Sequence, residues 1–554
     1  MAKIFMVLAA AGAIAISAPS AIAWAEESGD EGASKYSEVQ KLGYLGRTSK
    51  SALTRSVLER LKSRRYRAND TFERLVMWHN VALDSVALDH TPDPDTGAVP
   101  FVQGGPTRTS RGLAMTQIAV YDALNAFSHD YAPYNDIGRA QRLASEDVAI
   151  AWAAYSVQKV LYPEQRDRLT EILVDDLRDI RAGLVARHYG REIGIKSAFA
   201  ILKNRKNDGS RDAEPQFGDG GRVASGTTNY FGEAVNAAST NIGEWTPDPN
   251  TPEFSGDFNL SLGAYWGGVT PFALNRGDQF RLPPPPAVGS PEYNAAFAEV
   301  AAVGGAPDNM MTPSMSTPEK RFIGNFWGYD AVPLLGTPPR LYNQIAVQVA
   351  MQEGVDDPLE LARLLAMVNV GLADAGVAAW DSKWFYNWWR PVTAIRANDG
   401  APGTMNDPTW DPVGVSIVNV ELPGGQAFIR PTPPFPAYPS GHATFCSTMI
   451  QILISFFGDD VAFTFTSDEY NGEGVDPING APRPLVPVLY DNLSDMQIEN
   501  GLSRIYNGVH WSYDNLQGQA LGTNIAGHIV DDIEAFQPKS DWRRDRKKFR
   551  RFWR

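Results

Sequence analysis

Apolar positions recur at helical spacing through most of this chain. Between Arg111 and Phe127, Leu113, Ala114, Tyr121 and Leu124 share one face, as a buried helix requires. Ser145 stands as an N-cap before Asp147 to Leu161, a stretch rich in Ala and Val. Pro163 opens a further helical pattern, with Leu169, Ile172, Leu173, Leu177 and Ile180 on one stripe and charges elsewhere. Trp78 to His90 and His188 to Lys203 read as helices, and Ala52 to Arg65 as a basic amphipathic one. No alternation of strand and helix patterns appears in this half.

The pattern breaks after Asn204. From Asp208 to about Ser290 the chain is rich in Gly, Pro, Asn and Asp, punctuated by Trp245 and Trp266. Tryptophans need burial, so the stretch reads as a long ordered loop region and not as a flexible linker. Helical pattern resumes near Pro291. Pro358, after Asp356 and Asp357, opens a long helix with Leu361, Leu364, Leu365, Val368 and Leu372 at core spacing, running into Trp380 and Lys383. Asp399 to Pro436 is a proline-rich loop. Helices are expected over Ser440–Phe457, Asp495–Asn507 and Asp514 to about Phe536. The fold class is therefore all-α: a helical bundle over 26–207, a loop-rich connection over 208–290 and a second bundle over 291–536, the two packed together. Residues 537–554 form a strongly basic tail, read as a solvated end.

Length and charge narrow the classes. With 554 residues the chain can bury a large core. Its net charge of −14 argues against general nucleic-acid binding. An anion site in such a protein must be built locally from clustered Arg and Lys. Residues 1–25 look like a secretory signal: Lys3, an apolar core from Ile4 to Ile16 too short to span a bilayer, and A-x-A sites at Ala21–Ala23 and Ala23–Ala25. Export to the periplasm or beyond is expected, with no integral membrane segment after cleavage. The sole cysteine, Cys446, excludes an intrachain disulfide and reads as a small buried hydrophobe.

Three short stretches carry chemistry. Tyr438 to Thr444 reads Tyr-Pro-Ser-Gly-His-Ala-Thr, a tight turn feeding an apolar helix with Ser440 placed as its N-cap. Backbone N–H groups at such a helix start favour an oxyanion. His442 adds a group that can exchange a proton near neutral pH. Upstream lies Lys383 to Pro391, with six residues, most of them aromatic, between Lys383 and Arg390. Downstream lies Ser503 to Asp514, with Arg504, His510 and Asp514.

The ordered set KxxxxxxRP, PSGH and SRxxxxxHxxxD resembles the signature shared by vanadium-dependent haloperoxidases and acid phosphatases of the type 2 phosphatidic-acid-phosphatase-like superfamily. The resemblance covers Lys383 to Asp514. It implies that Lys383, Arg390, Ser440, Gly441 and Arg504 surround a tetrahedral oxyanion, with His510 bonded to its central atom. Asp514 would orient the other nitrogen of His510, and His442 would be the general acid–base. In the haloperoxidases the equivalent of His510 ligates vanadium(V), that of Lys383 polarises the peroxide and that of His442 handles its proton. The implied cofactor is vanadate, with no haem or nucleotide. The implied partners are hydrogen peroxide, a halide and a small organic acceptor. In the phosphatases the equivalent of His510 becomes a phosphohistidine. A non-catalytic oxyanion binder is the third alternative.

Three features favour the peroxidase reading. About 350 residues lie between the signal and the first motif, room for a second bundle. The motif surroundings are strongly aromatic. Phe435 and Trp380 stand where family chloroperoxidases resemble this chain, and mark a possible halide pocket. The other histidines, His79, His90, His129, His188 and His528, match no motif and read as surface or satisfied core residues.

Overall fold

Local capping decides where the helices begin. Asp70, Ser145, Ser290, Thr317, Asp357, Ser440 and Asn492 each accept a backbone N–H from the first turn of the helix that follows. Proline occupies the first helical position at Pro291, Pro318, Pro338, Pro358 and Pro391, where its missing N–H costs nothing. The structure is a computed structural model and describes residues 58–93, 95–212, 217–218, 222–223, 242–249, 261–397, 404, 406–416, 418–419, 431–476 and 480–539. The expected secretory signal, the first six residues of the basic helix expected over 52–65, parts of the two loop regions and the basic tail beyond residue 539 lie outside the described residues.

The helices are α1 Thr71–Asp89, α2 Gly105–Ser128, α3 Glu146–Leu161, α4 Arg166–Asp179, α5 Leu184–Asn204, α6 Pro291–Val303, α7 Pro318–Phe326, α8 Pro338–Gln352, α9 Pro358–Tyr386, α10 Pro391–Arg396, α11 Gly441–Phe457, α12 Leu493–Tyr506 and α13 Ser512–Gly527. In the first bundle α2, α3 and α5 pack on one another, with α1 and α4 against α3. In the second, α11 lies along α13, and α8 and α12 complete the layer. Helix α9 runs between them, against α2 on one side and α11 on the other. Its side chains are buried from Leu361 to Trp384, apart from the half-buried Arg363. By length and composition α9 could cross a bilayer, and here 94% of its most apolar window is buried in protein. That is the behaviour of a core helix.

Some expectations shift. Pro163–Gln165 is a separate 3₁₀ turn before α4, and Ile180 caps that helix in extended conformation. The closing helix expected over Asp514–Phe536 runs instead from Ser512 to Gly527, then loosens into a π turn at His528–Asp532. Helices α7, α8 and α10 are finer than the expectation that helical pattern resumes near Pro291; α7 and α10 are short proline-started segments with little periodic signal, and α8 runs for 15 residues. A short antiparallel pair, Phe463–Phe465 with Val488–Tyr490, was also unforeseen. Trp245 and Trp266 are buried as their burial argument required.

The approach of α13 to α11 sets the site. A Cβ on Gly518 would stand 2.7 Å from the Ser440 carbonyl oxygen, and one on Gly522 would stand 2.5 Å from that of Thr444. Only glycine allows backbones this close. The Ser440 N–H donates to the Asp514 carbonyl at 2.9 Å, so the start of α11 is fastened to the start of α13.

Candidate active site

Each motif is a helix end, a turn and a helix start. Lys383 lies in the last turn of α9, Asn387 closes that helix in the left-handed region (φ 47°), and Arg390 is the N-cap of α10. Arg504 lies in the last turn of α12. Gly508 turns the chain at φ 71°, and His510 follows just before α13. A side chain at Gly508 would also meet the Gly304 carbonyl oxygen at 2.3 Å. Ser440 caps α11 after the Tyr438–Pro439 cis peptide. These turns bring Lys383, Arg390, Ser440, His442, Arg504, His510 and Asp514 together, all of them buried.

The hydrogen bonds of His510 fix its tautomer. Nε2 lies 3.0 Å from Arg390 Nη1, which can only donate, so Nε2 carries the lone pair. Nδ1 therefore carries the proton and donates to Asp514 Oδ2 at 2.8 Å. Asp514 reaches it from the third position of α13, where it also accepts the Trp511 N–H at 3.1 Å. Burial, then Arg390 and Lys383, hold the His510 pKa well below the ordinary imidazole value. The ring is neutral, and its lone pair faces cations.

His442 has the opposite tautomer. Its Nε2 lies 2.8 Å from the Gly328 carbonyl, which can only accept, leaving the lone pair on Nδ1. Burial, and next Arg504, push its pKa well below 6.5. The sequence assigned no carboxylate partner to His442. The structure supplies Asp330, with Oδ1 3.7 Å from His442 Nε2. Asp330 also takes both terminal nitrogens of Arg504, at 2.8 and 3.2 Å. Its neighbours Tyr329 and Ala331 both have positive φ, 48° and 61°, a strained pair that the surroundings must hold. Buried Glu469 does so, accepting the Tyr329 N–H at 3.2 Å and the Ser416 hydroxyl at 2.7 Å. No short motif marks Asp330 or Glu469. They act only through chain segments distant in sequence.

Lys383 is placed differently from expectation. Its Nζ donates to the carbonyls of Pro436, Ala437 and Pro439 at 2.8, 2.9 and 2.5 Å. Burial pulls its pKa down, yet three acceptors match the three N–H groups of an ammonium, which a neutral amine could not serve. Lys383 thereby braces the loop that ends in Ser440. Contact with an oxyanion or peroxide would require it to exchange one carbonyl.

The donor set fits an oxyanion. Among the described residues Arg390 Nη2 and Arg504 Nε are buried donors with no acceptor, an expensive state unless an anion supplies one. The Gly441 and His442 amides at the start of α11 are first-turn donors of the same kind. No three His, Cys, Asp or Glu side chains group as metal ligands among the described residues. Beside this floor opens a cavity of ≈ 290 Å³, lined by His442, His510, Asp330 and largely apolar side chains. Trp380 and Phe435 are in its wall, with ring centroids 4.9 Å apart. His90 lines it too, with both nitrogens bonded, to the Val86 carbonyl and the Gly105 N–H. His79 is buried beside the Gln117 amide, and Cys446 is fully buried.

Residues 363–537 match the family model of the VCPO second helical-bundle domain. A vanadium chloroperoxidase of Curvularia inaequalis is 31% identical over 305 residues, 48% of this chain and 48% of that protein. The chain thus spans about half the length of the curated relative it matches. The crystal structure of the first bacterial vanadium-dependent iodoperoxidase superposes with a TM-score of 0.60 at 21% identity, covering 83% of this chain and 97% of that one. An apo-type bacterial vanadium-dependent chloroperoxidase gives 0.54 at 18% identity, covering 80% and 97%. These two likenesses bear on the fold, which they share along most of this chain. Residues 363–537 thus match the second helical-bundle domain of the VCPO family model, and the chain is similar to a vanadium chloroperoxidase over about half its length.

Proposed function

We propose that this protein is a vanadium-dependent haloperoxidase, using hydrogen peroxide to oxidise a halide to a hypohalous-acid-type species that halogenates a small organic acceptor. The observation that carries this reading is the neutral His510, whose Nε2 lone pair stands beside the unpartnered donors of two buried arginines. Vanadate, when bound, would act as a Lewis acid that activates peroxide without changing oxidation state. His510 Nε2 would ligate it, with Asp514 fixing the ring. Arg390 Nη2, Arg504 Nε, Ser440 and the Gly441 N–H would hold its oxygens. Arg390 Nη1 would give up its bond to His510 and keep the Val509 carbonyl, 2.8 Å away. His442 Nδ1, neutral across the physiological range, would accept and return the peroxide proton. Lys383 holds the loop that positions Ser440. Trp380 and Phe435 would keep the halide side dry. Secretion behind residues 1–25 is part of the proposal and is checked by sequencing the mature N-terminus.

The same cradle accepts phosphate, so the test has two arms. The protein loaded with orthovanadate is assayed for peroxide-dependent halogenation, and the vanadate-free protein for phosphate-ester hydrolysis. Halogenation with negligible hydrolysis is expected. Fast hydrolysis without halogenation would assign the phosphatase chemistry, with His510 as nucleophile. Oxyanion binding with neither activity would leave only a binding protein.

A further inference from the structure

One buried ion pair lies outside the oxyanion cradle and touches neither imidazole. Glu469 sits in the 3₁₀ turn Asp468–Tyr470 and is fully buried, with Arg483 Nη1 2.9 Å from its Oε2. Burial pushes its pKa up to about 7 against Arg483, Ser416 and Tyr329, which each hold it down. Such a pair adds little to stability, because desolvating two charges consumes most of what their attraction returns. Its other bonds all reach the chain beside His442. Oε1 accepts the Tyr329 N–H and Oε2 the Ser416 hydroxyl. Ser416 in turn donates its N–H to Asp330 Oδ2 at 3.3 Å.

Both acceptors that face His442 Nε2 stand on this stretch, the Gly328 carbonyl at 2.8 Å and Asp330 Oδ1 at 3.7 Å. The stretch cannot keep its shape unaided. Left-handed φ at Tyr329 and Ala331 costs about 1–3 kcal/mol each. The turn around Glu469 grips it at neighbouring points. The Ser467 hydroxyl donates to the Phe326 carbonyl at 2.6 Å, and the Asp468 N–H to the Tyr329 hydroxyl at 2.8 Å. Contact is close enough that a Cβ on Gly328 would stand 2.9 Å from Glu469 Oε1.

We infer that Glu469, with Arg483 as its counterion, is a positioning residue for proton transfer: it holds residues 328–330 so that the Gly328 carbonyl takes the Nε2 proton of His442 and leaves Nδ1 as the acceptor. The Nδ1 lone pair lasts only while that carbonyl stays in place. When the stretch relaxes, the ring is free to turn or to take the other tautomer. The inference rests on the reading of His442 as the proton carrier and names what aims it.

The test compares wild type with Glu469→Gln and with the double variant Glu469→Leu/Arg483→Met. The double variant replaces the pair by apolar groups of similar size, an exchange that buried pairs often tolerate without loss of stability. In the vanadate-loaded full chain, kcat for bromide oxidation should fall about tenfold or more in both variants, out of the roughly 10²–10⁴-fold that general acid–base catalysis supplies. Orthovanadate affinity should stay within about threefold, short of the roughly 10–100-fold that follows loss of a metal ligand's own partner. In ¹⁵N-histidine-labelled protein without vanadate, with the His442 signal assigned by its loss in His442→Gln, the ring proton should sit on Nε2 in wild type and spread to Nδ1 in both variants. A double variant with wild-type kcat and an unmoved tautomer overturns the inference. So does loss of stability, affinity and kcat together in Glu469→Gln with all three recovered in the double variant, since the pair would then only hold the fold. A tautomer that shifts in the variants of a protein unable to oxidise any halide overturns the haloperoxidase reading and leaves Glu469 as the residue that aims His442.

Discussion

Asp330 grips both terminal nitrogens of Arg504, at 2.8 and 3.2 Å, in a site that also holds the cations Lys383 and Arg390. Burial pushes its pKa up, and Arg504 pulls it back. Removing one partner of a buried pair leaves the other uncompensated, at a cost of about 3–5 kcal/mol. Asp330→Ala is therefore expected to lower the unfolding free energy by that order, and the denaturation midpoint with it. Saturating phosphate should recover part of the loss, because an oxyanion supplies the missing countercharge. An Asp330→Ala midpoint equal to wild type without phosphate would show that the pair does not hold Arg504.

Asp514 sets which nitrogen of His510 keeps the lone pair. In Asp514→Asn the side-chain amide can donate to Nδ1 and move the ring proton onto Nε2. Orthovanadate affinity, measured by equilibrium dialysis, should fall roughly 10–100-fold. His510→Ala should abolish retention. His442→Ala should retain vanadate while losing most turnover, which separates ligand from proton carrier.

Lys383 gives all three of its N–H groups to the loop before Ser440. Lys383→Met should speed amide exchange across residues 436–443 and weaken vanadate binding through a displaced Ser440. Unchanged exchange there, with vanadate affinity still lost, would instead mean that Lys383 contacts the oxyanion directly.

His442 is held below its ordinary pKa by burial and by Arg504. Its neutral form therefore persists in the folded protein below pH 6.5, whereas the unfolded chain takes up the proton near 6.5. The sign follows: this group makes folding weaker as pH falls below about 6.5 and has no effect above it. In wild type its ring resonance should not titrate between pH 8 and 6 by NMR. Arg504→Gln removes a repelling cation and should move the titration upward. A wild-type midpoint at or above 6.5 would contradict the buried, cation-facing placement.

Gly522 lets α13 lie against Thr444. Gly522→Ala must force the helices apart, at an expected cost of about 1–3 kcal/mol, and should weaken vanadate binding although residue 522 carries no chemistry. Thermal unfolding with and without vanadate measures both effects.

Much of the site was legible because its parts are local. A capping serine after a proline turn, a lysine one turn from a helix end and a carboxylate four residues after a histidine are all readable from spacing. So were the long helices, whose apolar stripes are periodic. Asp330 and Glu469 were not legible. Each is an ordinary acidic residue in a segment without helical or strand periodicity, Glu469 in a three-residue 3₁₀ turn, and its role comes from partners 174 and 53 residues away in sequence. Lys383 was legible as a site residue, while its three carbonyl partners could not be read, because backbone acceptors have no sequence identity.

Residue types and their short-range order determined the helices, the cations and the two imidazoles. Tertiary structure alone decided the tautomers, the carboxylate at His442 and the apolar cavity. Those depend on which distant backbone groups and side chains close around a buried atom, and burial is a property of the whole folded chain.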